Sequence, residues 1–351
     1  MKIQSIFDDD PSDVSQSTYF IAEIGSNFDG SKERAESLIE LAAESGADAA
    51  KFQAFSAESI VSKVGFDGLK MGFQSDWKKS VYQTYKDAAL PREWIPDLAS
   101  CCEEHGVEFL CTPYDLDAIE ILEEVGVPAY KIGSGDITWH SFIKSVANTQ
   151  RPVILATGAS TLGEVEQAVE VIRSTGNDRL VLLQCITDYP SGFESANLRA
   201  MRTLQQAFAT PVGYSDHTPG SVVPLGAVSI GGRVIEKHFT DDTSRDGPDH
   251  SFAMDPNAFG EMVSEVRSLE AALGSFQKTL YNTETDSVIL QRRCIRANRS
   301  IAEGQTIAEE DLICLRPAPP DSIPPYESHR IVNREAQRDI DRGEHITWHA
   351  I

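Results

Sequence analysis

From about Tyr19 to Gly274 the chain repeats one pattern eight times: a short apolar run, then a segment whose apolar residues recur at helical spacing. The runs are YFIAEIG (19–25), ADAAKFQAF (47–55), VEFLCTP (107–113), PAYKIGSG (128–135), PVILATG (152–158), LVLLQCIT (180–187), PVGYSDH (211–217) and RVIEKHFT (233–240). Each is short and mostly bounded by turn residues, as buried strands are. In SKERAESLIELAAESG, Ala35, Leu38, Ile39 and Ala42 share one helical face, and Gly46 ends the pattern. Alternation of this kind builds a parallel sheet, and eight units close one. The prediction is an α/β fold, a (β/α)8 barrel over residues 1–274.

The rhythm fails in two places. Residues 56–91 are far longer than the usual βα connection of about 4–6 residues, and they carry Trp77, Tyr82 and Tyr85, which suggests a lid or binding loop. After Gly274 a polar linker (275–291) leads into residues 292–351. That tail has short β-like runs, five prolines between Pro317 and Pro325, and turns at Gly304 and Gly343. It reads as a small, mostly β domain.

Composition narrows the function. Acidic residues number 54 against 31 basic ones, a formal charge of -23, and such a surface repels nucleic acid and anionic membrane. No apolar run approaches the ~20 residues of a membrane helix, and the opening MKIQSIFDDD has no secretory core, so a cytoplasmic protein is expected. The six cysteines form no CxxC pair and are expected to be reduced packing thiols.

In a barrel, inward-facing residues at the carboxyl ends of the strands make the active site. Those positions are polar in nearly every strand here: Glu23, Lys51 with Gln53, Thr112 with Tyr114, Lys131 with Ser134, Thr157, Thr187 with Tyr189, Ser215 with His217, and Glu236 with His238. Spacing by two puts the members of most pairs on one face. One or two such residues could cap a barrel as satisfied polar groups; eight strands of them point to a site. His217 and His238 end neighbouring strands and can share one ion. With carboxylates and hydroxyls nearby, Mn, Mg or Co suits the pair better than a closed zinc site. Lys51 and Lys131, the hydroxyls of Ser134 and Ser215, and the turns GSG (133–135) and TGAS (157–160) make a cradle for phosphate and carboxylate.

The segments FIAEIGSN, ADAAKFQ, FLCTPYD, YKIGSGD, ILATGAS, GYSDHT, VIEKHFT and GPDH, in that order, resemble the sialic acid synthase family. RRCIRANRSIAEGQTIAEEDLICLRPA is similar to the opening of that family's small antifreeze-like (SAF) domain. The resemblance implies a carbon–carbon bond-forming transferase that condenses phosphoenolpyruvate with an open-chain N-acyl hexosamine. The products would be a nine-carbon 2-keto acid and inorganic phosphate. It implies a divalent metal, most simply Mn, on His217 and His238. Phosphoenolpyruvate would be bound by Lys51, Lys131, Ser134, Ser215 and Thr187, and the sugar by Gln53, Thr112, Tyr114, Tyr189 and Asp249. Glu23 and Glu236 would stabilise the cation at C2 or handle the water.

Arg316 matches an arginine that reaches the partner subunit's site, which implies a domain-swapped homodimer; Arg293 is a lesser candidate. The chain departs from the usual motifs at Phe28 (commonly His), Ala156 (commonly Ser) and Thr187 (commonly Asn), which puts sugar contacts and phosphoenolpyruvate affinity in question. The aromatic loop after the second strand resembles that of synthases for di-N-acetylated sugars, of the pseudaminate or legionaminate type. It could equally pack a helix on the barrel. A non-catalytic sugar-binding protein would have lost His217, His238, Lys51 or Lys131, and none is lost.

Overall fold

The computed structural model describes residues 1–8, 17–66, 69, 74 and 77–351. The chain divides into two compact units, Met1–Ser275 and Phe276–Ile351. In the first, eight parallel strands close in sequential order. They are β1 (Tyr19–Gly25), β2 (Ala49–Ala54), β3 (Glu108–Pro113), β4 (Tyr130–Ile132), β5 (Val153–Ala156), β6 (Leu180–Cys185), β7 (Val212–Asp216) and β8 (Gly232–His238). Each predicted run contains its strand, except that β8 begins one residue earlier, at Gly232. Eight helices follow the strands: α1 (Lys32–Glu44), α2 (Ile95–Glu104), α3 (Leu116–Val125), α4 (His140–Asn148), α5 (Leu162–Arg173), α6 (Ala200–Phe208), α7 (Val222–Ser229) and α8 (Pro256–Leu273). No helix among the described residues is long and apolar enough to cross a membrane.

Strand alternation sorts the core into two layers. Outward residues such as Phe20, Phe52, Tyr130, Leu155 and Tyr214 pack against the helices. Inward residues Tyr19, Ile21, Ala49, Leu110, Ala129, Ile154, Val181, Leu183 and Val234 fill the lower barrel, and Ile3, Ile6 and Phe7 close it from below. Burying each large aliphatic side chain in these layers contributes about 1.5–3 kcal/mol. One step further up the same inward face, apolar residues give way to Glu23, Lys51, Thr112, Lys131, Ser215 and Glu236, all buried. The fold therefore builds a charged floor on an apolar plug.

Helix starts lie at the carboxyl ends of the strands, so their positive dipole ends face the charged mouth. Side chains cap them: Ser31 Oγ accepts from Arg34 N at 3.2 Å, and Thr161 with Glu164 forms a reciprocal capping box. Each such cap stabilises its helix by about 1 kcal/mol. The long β2 connection is partly helical, at Ala57–Ile60, Lys63–Phe66 and Val81–Ala88. Part of the aromatic loop (67–68, 70–73 and 75–76) lies outside the described residues.

The second unit pairs β9 (Cys294–Ala297) with β10 (Leu312–Leu315) in antiparallel register, Leu312 opposite Ala297. Its core is rich in isoleucine, including Ile295, Ile301, Ile307, Ile323, Ile340 and Ile346. Apart from Ser275, the segment read as a linker belongs to this unit and holds a helix, Thr285–Gln291. All six cysteines are free thiols.

Candidate active site

Strand register sets the heights of the site residues. In β1 and β8 Glu23 lies level with His238, and in β7 and β8 Ser215 lies level with Glu236. Lys51 Nζ sits 2.6 Å from Glu23 Oε2 and 3.6 Å from Glu236 Oε2, and Lys131 Nζ sits 3.5 Å from Glu236 Oε1. Lys51 also donates to Thr112 Oγ1 at 3.3 Å, Gln53 Nε2 to Glu23 Oε1 at 2.5 Å, and Ser215 Oγ to Glu236 Oε1 at 2.9 Å. Burial alone would drive the Glu236 carboxyl up, yet the Lys131 and Lys51 ammonium groups outweigh it and hold it down at about 2. Burial likewise opposes the charge on Lys51, but Glu23 and Glu236 raise its pKa above the ordinary value. The floor thus sets two lysines against two glutamates.

Ser134 Oγ accepts from Gly158 N at 2.9 Å. A side chain on Gly158 would meet Thr187 Cγ2 at 3.0 Å, which places exposed Thr187 beside this turn. Thr157 instead donates to Leu183 O at 3.0 Å and is a satisfied barrel residue.

His217 and His238 stand with ring centroids 5.4 Å apart. Burial and the neighbouring His238 push the His217 pKa down to about 3, so its ring is neutral at neutral pH. Its Nδ1–H donates to Ile186 O at 2.8 Å, which leaves the Nε2 lone pair for a ligand. His238 Nδ1 is buried without a hydrogen-bond partner. One imidazole oriented by a carbonyl and one with an orphaned nitrogen fit a divalent cation. No cluster of three or more metal-ligating side chains occurs among the described residues, so further ligands would be water or substrate.

The two strands carrying this pair are locked by a buried ion pair on their outer face. Lys237 Nζ meets Asp216 Oδ2 at 2.5 Å, in cross-strand register.

Above the floor lies a cavity of ≈160 Å³ whose lining includes Gln53, Tyr114, Tyr189, His238 and Asp249. Phe55, Trp77, Thr84, Tyr85 and Ala88 make one wall of it. The Phe55 and Tyr85 rings lie 5.4 Å apart and Phe55 and Tyr114 5.9 Å, all edge-on. Asp249 Oδ2 accepts from Ser26 Oγ at 2.9 Å. The proposed barrel residues therefore converge on one mouth. Arg316 is exposed on the second unit and makes no hydrogen bond or ion pair with any described residue.

Phe28 requires a correction. It does not line the site: it is fully buried, 6.0 Å from the Trp94 ring and 6.5 Å from that of Phe52, so its departure from the motif is a packing change. Ala156 lies two residues above inward-facing Ile154, on the site's face of β5. In the aromatic loop Trp77 and Tyr85 line the cavity, while half-buried Trp94, just beyond the loop, packs against the core.

Two site residues escaped the sequence reading. Asp136, next after GSG, has a buried Oδ2 without a hydrogen-bond partner, and burial pushes its carboxyl up to about 6 against the pull of Lys131. Phe252, two residues past GPDH, lies edge-on to His238 at 4.9 Å and tilted against Tyr189 at 5.4 Å. Motif continuity pointed toward Asp136; nothing in the sequence singled out Phe252.

Residues 38–278 match the NeuB family, and residues 292–351 match the SAF domain. The chain belongs to the NeuB family. It is 37% identical to an N,N'-diacetyllegionaminic acid synthase of Legionella pneumophila, over 97% of this chain and 96% of that protein. It is 30% identical to the human N-acetylneuraminate-9-phosphate synthase, over 93% and 91% of the two chains. Among solved structures, the N-acetylneuraminic acid synthetase of Leptospira borgpetersenii in complex with citrate superposes with a TM-score of 0.71 at 29% identity, covering 78% of this chain and 91% of that one. NeuB family membership thus rests on both units and on nearly the full length.

Proposed function

We propose that this NeuB-family chain is a nonulosonic acid synthase, condensing phosphoenolpyruvate with an open-chain, non-phosphorylated N-acyl hexosamine. The observation that carries the reading is the buried floor in which Lys51 and Lys131 converge on Glu236, beside the His217–His238 pair. Two lysines already paired with two glutamates do not offset an incoming phosphate and carboxylate. A divalent cation held by His217 and His238 would restore the balance and supply a Lewis acid that polarises the sugar aldehyde.

The chain's own groups carry the remaining roles. Lys51, Lys131, Ser134, Ser215 and Thr187 bind the anion and orient its enol carbon toward the aldehyde. A new carbon–carbon bond forms, and the aldehyde oxygen takes up a proton. Glu23 and Glu236, in the floor of the barrel mouth, stabilise positive charge at C2. Water adds there, the C2–O bond breaks, and phosphate leaves. Asp136, its carboxyl raised to about 6 by burial, would exchange the water's proton.

The cavity supports the sugar assignment. Among its described lining residues Asp249 is the one acidic group and no lysine or arginine is present, so a sugar phosphate has no counter-charge. The aromatic wall suits a substrate with methyl-bearing substituents, as a di-N-acetylated deoxy sugar has. The Legionella relative is named for an N,N'-diacetylated product. A homodimer is supported by the mouth's rim, where Leu116, Trp139, Leu162, Phe193 and Val222 follow β3 to β7 and stand exposed. Unengaged Arg316 would reach the partner's cavity.

The test is phosphate release from phosphoenolpyruvate with Mn, across N-acetylmannosamine, its 6-phosphate, mannose and 2,4-di-N-acetylated trideoxyhexoses. Release with a di-N-acetylated sugar is the expected result; release with the 6-phosphate alone would overturn the cavity reading. Excess chelator should abolish turnover at an unchanged melting temperature, and activity that persists would overturn the metal assignment.

A further inference from the structure

His250 closes the GPDH segment and has no part in the chemistry above, yet it is fully buried at the edge of the cavity. Its Nε2 lies 3.0 Å from Asp29 Oδ1 and its Nδ1 lies 2.7 Å from Thr240 Oγ1. A carboxylate only accepts, so Nε2 carries the proton, and the Thr240 hydroxyl donates to Nδ1. Asp29 belongs to the turn after β1, and Thr240 to the chain leaving β8. One imidazole therefore ties together the loops that follow the two strands where the barrel closes.

The tie lies where the β-ladder has run out. Past the Glu23–His238 pairing, Phe239 N still donates to Glu23 O at 2.8 Å, and then the chain enters residues 241–247, which are all exposed. Such a loop holds its shape only through fixed points. Asp29 also takes Arg245 Nη2 at 2.7 Å, Arg34 pairs with Asp241, and Asn27 Nδ2 donates to Phe239 O at 2.9 Å. Gly247 is shaped to the imidazole: a Cβ there would stand 2.5 Å from His250 Cδ2. Gly25, at φ +56°, admits Asp249 in the same way, since a Cβ would stand 2.9 Å from Asp249 Oδ2. Asp249 is thus delivered to the cavity between one residue that His250 excludes from having a side chain and His250 itself.

We infer that His250 is a positioning residue: clamped between Asp29 and Thr240, it fixes the β8 loop so that Asp249 meets the sugar. The sugar contact of Asp249 rests on the proposed function; the clamp itself does not.

Two measurements separate them. With the sugar that supports phosphate release, His250→Ala should raise the sugar KM about tenfold, the scale of one lost hydrogen bond, and leave the phosphoenolpyruvate KM within about twofold. His250→Gln should recover part of the loss. In the Asp249→Ala background, His250→Ala should add nothing further to the sugar KM, because the clamp acts through Asp249. Additive effects, or equal rises in both KM values, would overturn the inference. Hydrogen exchange reads the clamp without turnover: His250→Ala should speed exchange in 25–31 and 239–252 while the other strands keep their protection, and unchanged exchange there would overturn it. Thr240→Val, which removes one partner and keeps the shape, gives the same readout if the alanine variant does not fold. An inactive wild type across all sugars would refute the reaction and leave the exchange result to decide the clamp.

Discussion

Asp136 carries a pH signature that follows from burial alone. Its carboxyl is pushed up from 3.8 to about 6 because ionising it costs desolvation that Lys131 only partly offsets. A folded-state pKa raised above the unfolded one contributes stability that is complete below the unfolded value and lost as pH rises through the folded value. Asp136→Asn, neutral at every pH, should therefore melt higher than wild type at pH 8, and the gain should vanish by pH 4. Melting curves at the two pH values check this; an equal difference at both would show that the carboxylate is not strained. The same substitution should lower kcat, because asparagine cannot exchange the water's proton.

At the scale of elements, the metal-pair geometry depends on β7 and β8 keeping register. Asp216 and Lys237 are both buried at that seam, and Asp216 also accepts from Thr218 N at 3.0 Å and Thr218 Oγ1 at 3.1 Å. Burial lowers the Lys237 pKa despite the Asp216 carboxylate, so the pair stands close to its desolvation limit. Lys237→Met should cost about 3–5 kcal/mol in urea unfolding, since it leaves a buried carboxylate uncompensated. A cost below about 1 kcal/mol would mean that water reaches Asp216. The lower plug is a second such element. Ile3→Ala should cost about 2–5 kcal/mol, because Ile3 is wholly buried beneath the inward residues of the barrel.

For the whole molecule, charge is divided unevenly. Residues 1–275 hold 21 basic and 42 acidic side chains, a net of -21, while 276–351 hold 10 and 12, a net of -2. The second unit thus carries little net charge to repel another copy's acidic barrel unit. If Arg316 serves the partner's site, Arg316→Ala should raise the sugar KM more than the phosphoenolpyruvate KM. Mixing Arg316→Ala with Glu236→Ala subunits should then restore part of the lost activity, because one of the two sites keeps both residues. Mixed dimers as inactive as either parent would show that each chain works alone.

The eightfold alternation was enough to specify the barrel, because burial on two faces forces strand runs to be apolar and turns to be punctuated, and both leave local marks in sequence. The charged floor was legible for the same reason: Lys51, Lys131 and Glu236 stand at inward positions where an apolar residue is the default, and period two assigns their face. Phe28 was misread because motif position does not say which side of a loop a ring falls on; only packing with Phe52 and Trp94 decided that. Phe252 and His250 owe their roles to neighbours far away in the chain, such as Asp29, 221 residues from His250. Local sequence determined which residues face inward, since side-chain alternation is a property of the strand itself. Which groups meet, at what distance and in what state of charge, was decided by closure of the barrel, because desolvation and pairing exist only once distant strands lie side by side.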